Sequence, residues 1–295
     1  MAAATLRDPA PRRIDFLERP AVLSELERWL GVEGLAQTYP QAFHPLGAGQ
    51  LIGVFDGDRL LSHAVTLDIQ ARTAAGTSVN AVLIGNVATA PHARGRGLAT
   101  ELLRSILGAA QSRGADAALL WSNKWDFYKR LGFAPAGVQL EAEIIARVDR
   151  VASRIRPALA SDLPAIFDLH RAKPTRVERD LSALALMLSA TPMQTLVLER
   201  AGAPVAYACY GKGLDFIGWW HEVGGQDSDV VELVRGAMTV LGQPSATLVL
   251  PHYRAGVRDA LASDLQEERQ GVVALRCPLT QRGAADLFVD GLDSI

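Results

Sequence analysis

The residues that most suggest chemistry are Arg94-Gly95-Arg96-Gly97. They follow an apolar run, Val79 to Val87, and open an amphipathic one, Leu98 to Gln111. Glycines at such a junction let the backbone turn tightly and come close to a ligand. The first turn of a helix leaves N–H groups without intrahelical partners, at the positive end of the helix dipole. Arg94 and Arg96 add charge, so the segment suits an anion such as a pyrophosphate. A plainer reading is a helix entered through glycines with two solvated arginines. The segment is neither the dinucleotide fingerprint G-x-G-x-x-G nor a phosphate loop ending in Gly-Lys-Ser/Thr.

Several elements must position this loop. Ile14 to Leu17 reads as a short strand and Ala21 to Leu30 as a helix with apolar residues at helical spacing. Thr38 to Gly49 reads as a loop. Leu51–Phe55 and Leu60–Arg72 form a hairpin around Asp56-Gly57-Asp58. After the helix, Ala115 to Trp121 reads as a buried strand, Trp125 to Leu131 as a brief helix and Gly137 to Val148 as one more strand. The class is α/β.

At Ile155 the pattern restarts. Ser161 or Asp162 caps a helix that runs on to His170, and Asp180 to Ser189 is a second helix. Thr195–Glu199, Pro204–Tyr210, Phe216–Val223 and Ala246–Leu250 read as strands, and Asp229–Leu241 as a helix. This order echoes the first half and suggests an internal duplication. The expected organisation is a flexible lead-in (1–13), a first domain (14–150) and a second (151–295).

Bulk properties set limits. A chain of 295 residues suits two domains. A net charge of −2 provides no broad basic field for nucleic acid. The two cysteines, Cys209 and Cys277, sit in apolar surroundings and fit a reducing compartment rather than a disulfide scaffold. With no signal-like or membrane-spanning run, the expectation is a cytoplasmic protein that does not engage a membrane. The six histidines are scattered, so no metal is expected.

Val87-Ala88-Thr89-Ala90-Pro91 followed by Arg94-Gly95-Arg96-Gly97-Leu98-Ala99 resembles the central acetyl-CoA motif of the GNAT superfamily of N-acetyltransferases, whose Arg/Gln-x-x-Gly-x-Gly/Ala pattern is met by Arg94, Gly97 and Ala99. Phe127-Tyr128-Lys129-Arg130-Leu131-Gly132-Phe133 resembles a second family motif. The resemblance covers about residues 14–148, and the second half matches only in layout. It implies tandem GNAT-like domains, each a mixed, mostly antiparallel twisted sheet flanked by helices.

The resemblance also implies roles. Backbone groups of Val87, Ala88 and Thr89 would bind the pantetheine arm, and amides from Arg94 through Gly95, Arg96, Gly97, Leu98 and Ala99 to Thr100 would hold the pyrophosphate of acetyl-CoA, the co-substrate. Tyr128 would protonate the leaving thiolate, which a phenol of pKa about 10 can do. Asn123 lies nearer to Tyr128 than the family's cofactor-binding asparagine does. The family's glutamate base has no counterpart between Val79 and Val87. Candidates to take the amine's proton are His63, Asp68 and His44. Some relatives use a terminal carboxylate, which points to Ile295, following the apolar Leu287-Phe288-Val289; a short tail covering the core is the alternative.

In the second half, Trp219-Trp220-His221-Glu222 precedes the corresponding crossing, which lacks arginine and carries Asp227 and Asp229. No cofactor is expected there. The half would wall the acceptor pocket, or its tryptophans would be core, with His221 and Glu222 exposed. The overall expectation is direct attack of a small-molecule or peptide amine on acetyl-CoA, by a monomer or homodimer. A CoA-sensing protein on the same fold and a transferase of longer acyl groups are the alternatives.

Overall fold

The computed structural model describes residues 10–146, 154–213 and 215–295. In chain order the first elements are β1 (Arg12–Arg13), α1 (Arg19–Leu30), α2 (Leu35–Thr38), α3 (Pro40–Phe43), β2 (Gln50–Asp56), β3 (Arg59–Arg72), β4 (Ser78–Thr89), α4 (Leu98–Ser112), β5 (Ala117–Leu120), α5 (Trp125–Lys129), β6 (Ala134–Ala136) and β7 (Gln139–Ile145). The rest are β8 (Ile155–Pro157), α6 (Leu163–Arg171), β9 (Arg176–Val177), α7 (Leu181–Leu188), β10 (Gln194–Arg200), β11 (Ala203–Tyr210), β12 (Trp219–Gly225), α8 (Asp227–Val240), β13 (Ser245–Pro251), α9 (Ala255–Leu261), β14 (Leu265–Gly271) and β15 (Ala274–Pro278).

Two sheets organise these elements, in the orders β1-β2-β3-β4-β5-β15-β6 and β14-β7-β13-β12-β11-β10-β8, with β9 added to β3. Pairing is antiparallel except for β4 with β5 and β12 with β13, which are parallel. These are the two mixed, mostly antiparallel sheets that the sequence implied. The boundary expected near residue 150 falls outside the described residues. On either side of it the sheets trade a strand. β7 lies between β13 and β14 of the second sheet, while β15 lies between β5 and β6 of the first.

Apolar periodicity explains the packing. On α4, Leu98, Leu102, Leu103, Ile106 and Ala110 are buried against Val82, Ile84, Ala118 and Leu120 of the sheet. The opposite face of that sheet packs Leu26 of α1 and Phe43 of α3 against Leu83 and Leu119. The second sheet buries Trp220 and Leu248 under α8, where the indole N–H of Trp220 donates to the Met238 sulfur at 3.2 Å.

Local expectations need three corrections. The strand expected at Ile14 to Leu17 is a two-residue strand at Arg12–Arg13 followed by a 3-10 turn, because Glu18 caps the Asp15 N–H and starts a helix. The loop expected at Thr38 to Gly49 holds α3, entered through Pro40 at its first position. The strand expected from Gly137 belongs to the other sheet.

Candidate active site

β4 is paired along both edges over only part of its length. Its parallel pairing with β5 runs from Ala81 opposite Ala117 to Leu83 opposite Leu119. Its antiparallel pairing with β3 continues to Thr89 opposite Ser62. Past Leu83 the two parallel strands part, so one edge of β4 presents backbone groups to a gap. Asn86, at φ 48°, marks the irregularity in the β3 register between His63 and Val65, and such a bulge turns a strand away from its neighbour. Val87, Ala88 and Thr89 are half-buried along this gap.

The glycine loop follows directly. Gly95 and Gly97 have φ of 79° and 81°, and a β-carbon on either would meet nothing within 4 Å. Their glycines are therefore required by torsion rather than by crowding. Gly97 is the N-cap of α4 and offers no side-chain cap, so the first-turn amides face outward. Arg94, exposed, donates from Nε to the Thr89 carbonyl at 3.3 Å. Thr89, the segment Arg94–Thr100 and Phe127 line a shallow depression of about 260 Å³. The structure thus gathers all the residues expected at the pyrophosphate.

Tyr128 lies on α5, just past the end of β5. It is buried edge-to-face between Phe127 and Phe133, at 5.0 and 5.8 Å between ring centroids. Burial raises its pKa, against a hydrogen bond with Ser122. The phenol is therefore protonated at neutral pH, the form able to give up a proton. Asn123 is exposed on the loop before α5.

The base candidates separate. His63 is fully buried, stacks on Phe43 at 6.4 Å and places Nδ1 at 3.3 Å from the carbonyl of the bulge residue Asn86. Its Nε2 is buried without a hydrogen-bond partner, and burial lowers its pKa to about 4, which keeps the ring neutral. Asp68 instead reaches the surface and pairs with Arg113 at 3.0 Å. His44 accepts the Leu46 N–H at Nδ1. Ile295 is buried in the first core, and its carbonyl abuts Gly85, beside the bulge.

The comparisons with known proteins bear on this arrangement. A family model described as an acetyltransferase (GNAT) domain matches residues 26–136, the stretch that carries the parted strands, the glycine loop and Tyr128. Residues 26–136 are a GNAT acetyltransferase domain. A protein of Streptomyces avermitilis, named as an uncharacterized N-acetyltransferase, is 28% identical over 176 residues, covering 53% of this chain and 43% of that protein. The chain thus spans less than half the length of that relative. A probable N-acyltransferase of Enterococcus faecalis superposes with a TM-score of 0.70 at 15% identity, covering 94% of this chain and 74% of the other. A GCN5-related N-acetyltransferase of Anabaena variabilis gives 0.69 at 13%, covering 92% and 73%. These likenesses extend the GNAT fold across both halves.

The second GNAT-like unit repeats the parting of parallel strands. β12 and β13 pair at Trp219–Thr247 and Trp220–Leu248 and then diverge. Here His221 and Glu222 are buried, against the alternative in which they are exposed strand residues. Glu222 Oε1 accepts from Lys173 and Arg179 at 2.9 Å each and from Tyr207 at 2.5 Å. Burial opposes the Glu222 charge, and attraction to Arg179 and Lys173 overcomes it, holding the carboxyl well below its usual range. His170, Glu222 and Asp290 offer ligand atoms within 4.8 Å of one another, a spacing that could hold a metal. The Lys173 ammonium bridges Glu222 and Asp290 there, so the cluster already contains its own cation. Asp227 and Asp229, at the start of α8, pair with Arg254 and Arg200.

Sequence reasoning missed Lys173, Arg179, Lys212 and Gln41. The only available signal was Gly211-Lys212-Gly213 after an apolar strand.

Proposed function

We propose that this chain is an acetyl-CoA-dependent N-acetyltransferase in which a primary amine attacks the thioester directly within a ternary complex. The parting of β4 from β5 beside an uncapped helix start carries the reading. A pantetheine arm would complete the open edge of β4 at Val87, Ala88 and Thr89. The pyrophosphate would take the amides from Arg94 to Thr100, with the arginine charges nearby.

Tyr128 would return a proton to the departing thiolate. Its raised pKa keeps that proton available, and burial beside the parted strands keeps water from competing. The attacking amine must shed a proton in turn. A free carboxylate on Ile295, placed where its carbonyl meets Gly85, would take it; His63 at the bulge is the second candidate, disfavoured because its buried ring resists protonation. Neither cysteine supports a covalent route: burial raises both thiol pKa values, to about 12 for Cys209, whereas a nucleophile needs its thiolate. The acceptor is a small-molecule or peptide amine, and the second unit would wall its pocket and bind no cofactor of its own.

Calorimetry with CoA and thiol release from acetyl-CoA, with spermidine, glucosamine and free lysine as acceptors, test the proposal. Saturable binding plus amine-dependent thiol release is expected. Binding without release would favour a CoA-sensing role. No binding would end both.

A further inference from the structure

In the second unit, residues 290–293 pack on β12, with Gly291 against His221 and Phe216, and the grips on the segment 290–295 come from both units. Lys173 ties Asp290 to Glu222, with both contacts at 2.9 Å. Arg179 binds Glu222 through two nitrogens at 2.9 Å and Asp293 at 2.9 and 2.7 Å. A chain of ion pairs therefore runs from the middle of β12 to the segment.

Lys212 acts differently. Its ammonium donates at 2.6 Å to the carbonyls of both Leu292 and Ser294, and lies 3.3 Å from the Ser294 hydroxyl. It is 1% exposed, and none of its hydrogen bonds among the described residues goes to a carboxylate. Burial without such a partner lowers its pKa to about 7. An apolar side chain of similar volume would avoid that cost. The flanking backbone is shaped around this lysine. Gly211 and Gly213 have φ of 67° and 54°, and a β-carbon on Gly213 would strike the hydroxyl of Tyr39, at the corner between α2 and α3. From the first unit, Gln41 Nε2 donates to the same Ser294 carbonyl at 2.7 Å. One carbonyl is thus held from both units, and the next residue is Ile295, whose own carbonyl meets Gly85.

We propose that Lys212 is a positioning residue: by fixing the Ser294 carbonyl jointly with Gln41, it sets where the carboxyl of Ile295 meets the β4 bulge, and the second unit's buried charges serve as a clamp for this segment. The inference rests on the reading of that carboxyl as the proton acceptor.

The test uses full-length Lys212→Met and Gln41→Met. For each, kcat and KM are measured with the best acceptor from the amine panel, CoA affinity by calorimetry, and hydrogen exchange of the 290–295 amides by mass spectrometry. Both variants should lose at least tenfold in kcat, hold CoA affinity within twofold and exchange faster only in that segment. Unchanged exchange or unchanged kcat in Lys212→Met overturns the inference, as does a parallel loss of CoA affinity and thermal stability. Should Lys212→Met not fold, Gln41→Met decides by the same criteria. Two residues appended after Ile295 test the underlying reading separately. If turnover survives the extension, the carboxyl is not the base, while exchange in Lys212→Met still reports on the clamp.

Discussion

The backbone carbonyl of Ile295 lies where a β-carbon on residue 85 would have to be. The bare face of β4 at Gly85 is therefore a seat for the segment delivered by the second unit. Gly85→Ala should push Ile295 out of register with the bulge. Because Gly85 is on a strand and away from the pyrophosphate loop, kcat should fall tenfold or more while CoA still binds. Wild-type turnover in Gly85→Ala would show that the seat has no bearing on the reaction.

Tyr128→Phe removes one hydroxyl and preserves the stacking on Phe127 and Phe133. Loss of a positioned proton donor typically costs about 10²- to 10⁴-fold. The expected outcome is a fall in kcat within that range and an unchanged melting temperature. A variant as active as the parent would assign the thiolate's proton to another donor.

At Gly97 the left-handed torsion is incompatible with a side chain at a cost of about 1–2 kcal/mol, even though space is available. Gly97→Ala should therefore destabilise the fold modestly and weaken CoA binding much more, since the first-turn amides shift. Calorimetry on the purified variant checks this. Equal CoA affinity in parent and variant would remove the pyrophosphate from this loop.

Acid should unfold the protein partly through its histidines. Burial lowers the pKa of His63 from 6.5 to about 4 and that of His221 to about 3. Below pH 6.5 the unfolded chain takes up protons that the folded one refuses, so stability declines as pH falls until about 4 for His63 and about 3 for His221. Over that span His63 alone accounts for roughly 3 kcal/mol. Urea midpoints from pH 7 to 4 should fall less steeply in His63→Leu than in the parent. Parallel curves would contradict the assignment.

Much of the first unit was legible because its signals are local. The 3.6-residue period of Leu98 to Ala110 and the glycines around Arg96 each depend on neighbours in sequence. Tyr128, by contrast, needed the resemblance to be noticed at all. The charged core of the second unit was not legible. The alternative that left His221 and Glu222 exposed rested on the cost of burying polar side chains, and partners far away in sequence, Lys173 and Arg179, make the burial of Glu222 tolerable. The traded strands were hidden for the same reason. β14 and β15 were not anticipated, and the charged Gln266-Glu267-Glu268-Arg269 of β14 resembles a loop more than a strand.

The exchange of β7 and β15 bears on how the protein is made. A ribosome releases the chain from the amino end, and domains usually fold as they emerge. Here Ala117–Leu120 can pair with β4 early, but its other edge has no partner until Ala274–Pro278 has been synthesised. The amino-terminal half must therefore wait, unfinished, for nearly the whole chain. Expressing it alone, by cutting at the apparent midpoint, would leave each half with one strand too many and one too few.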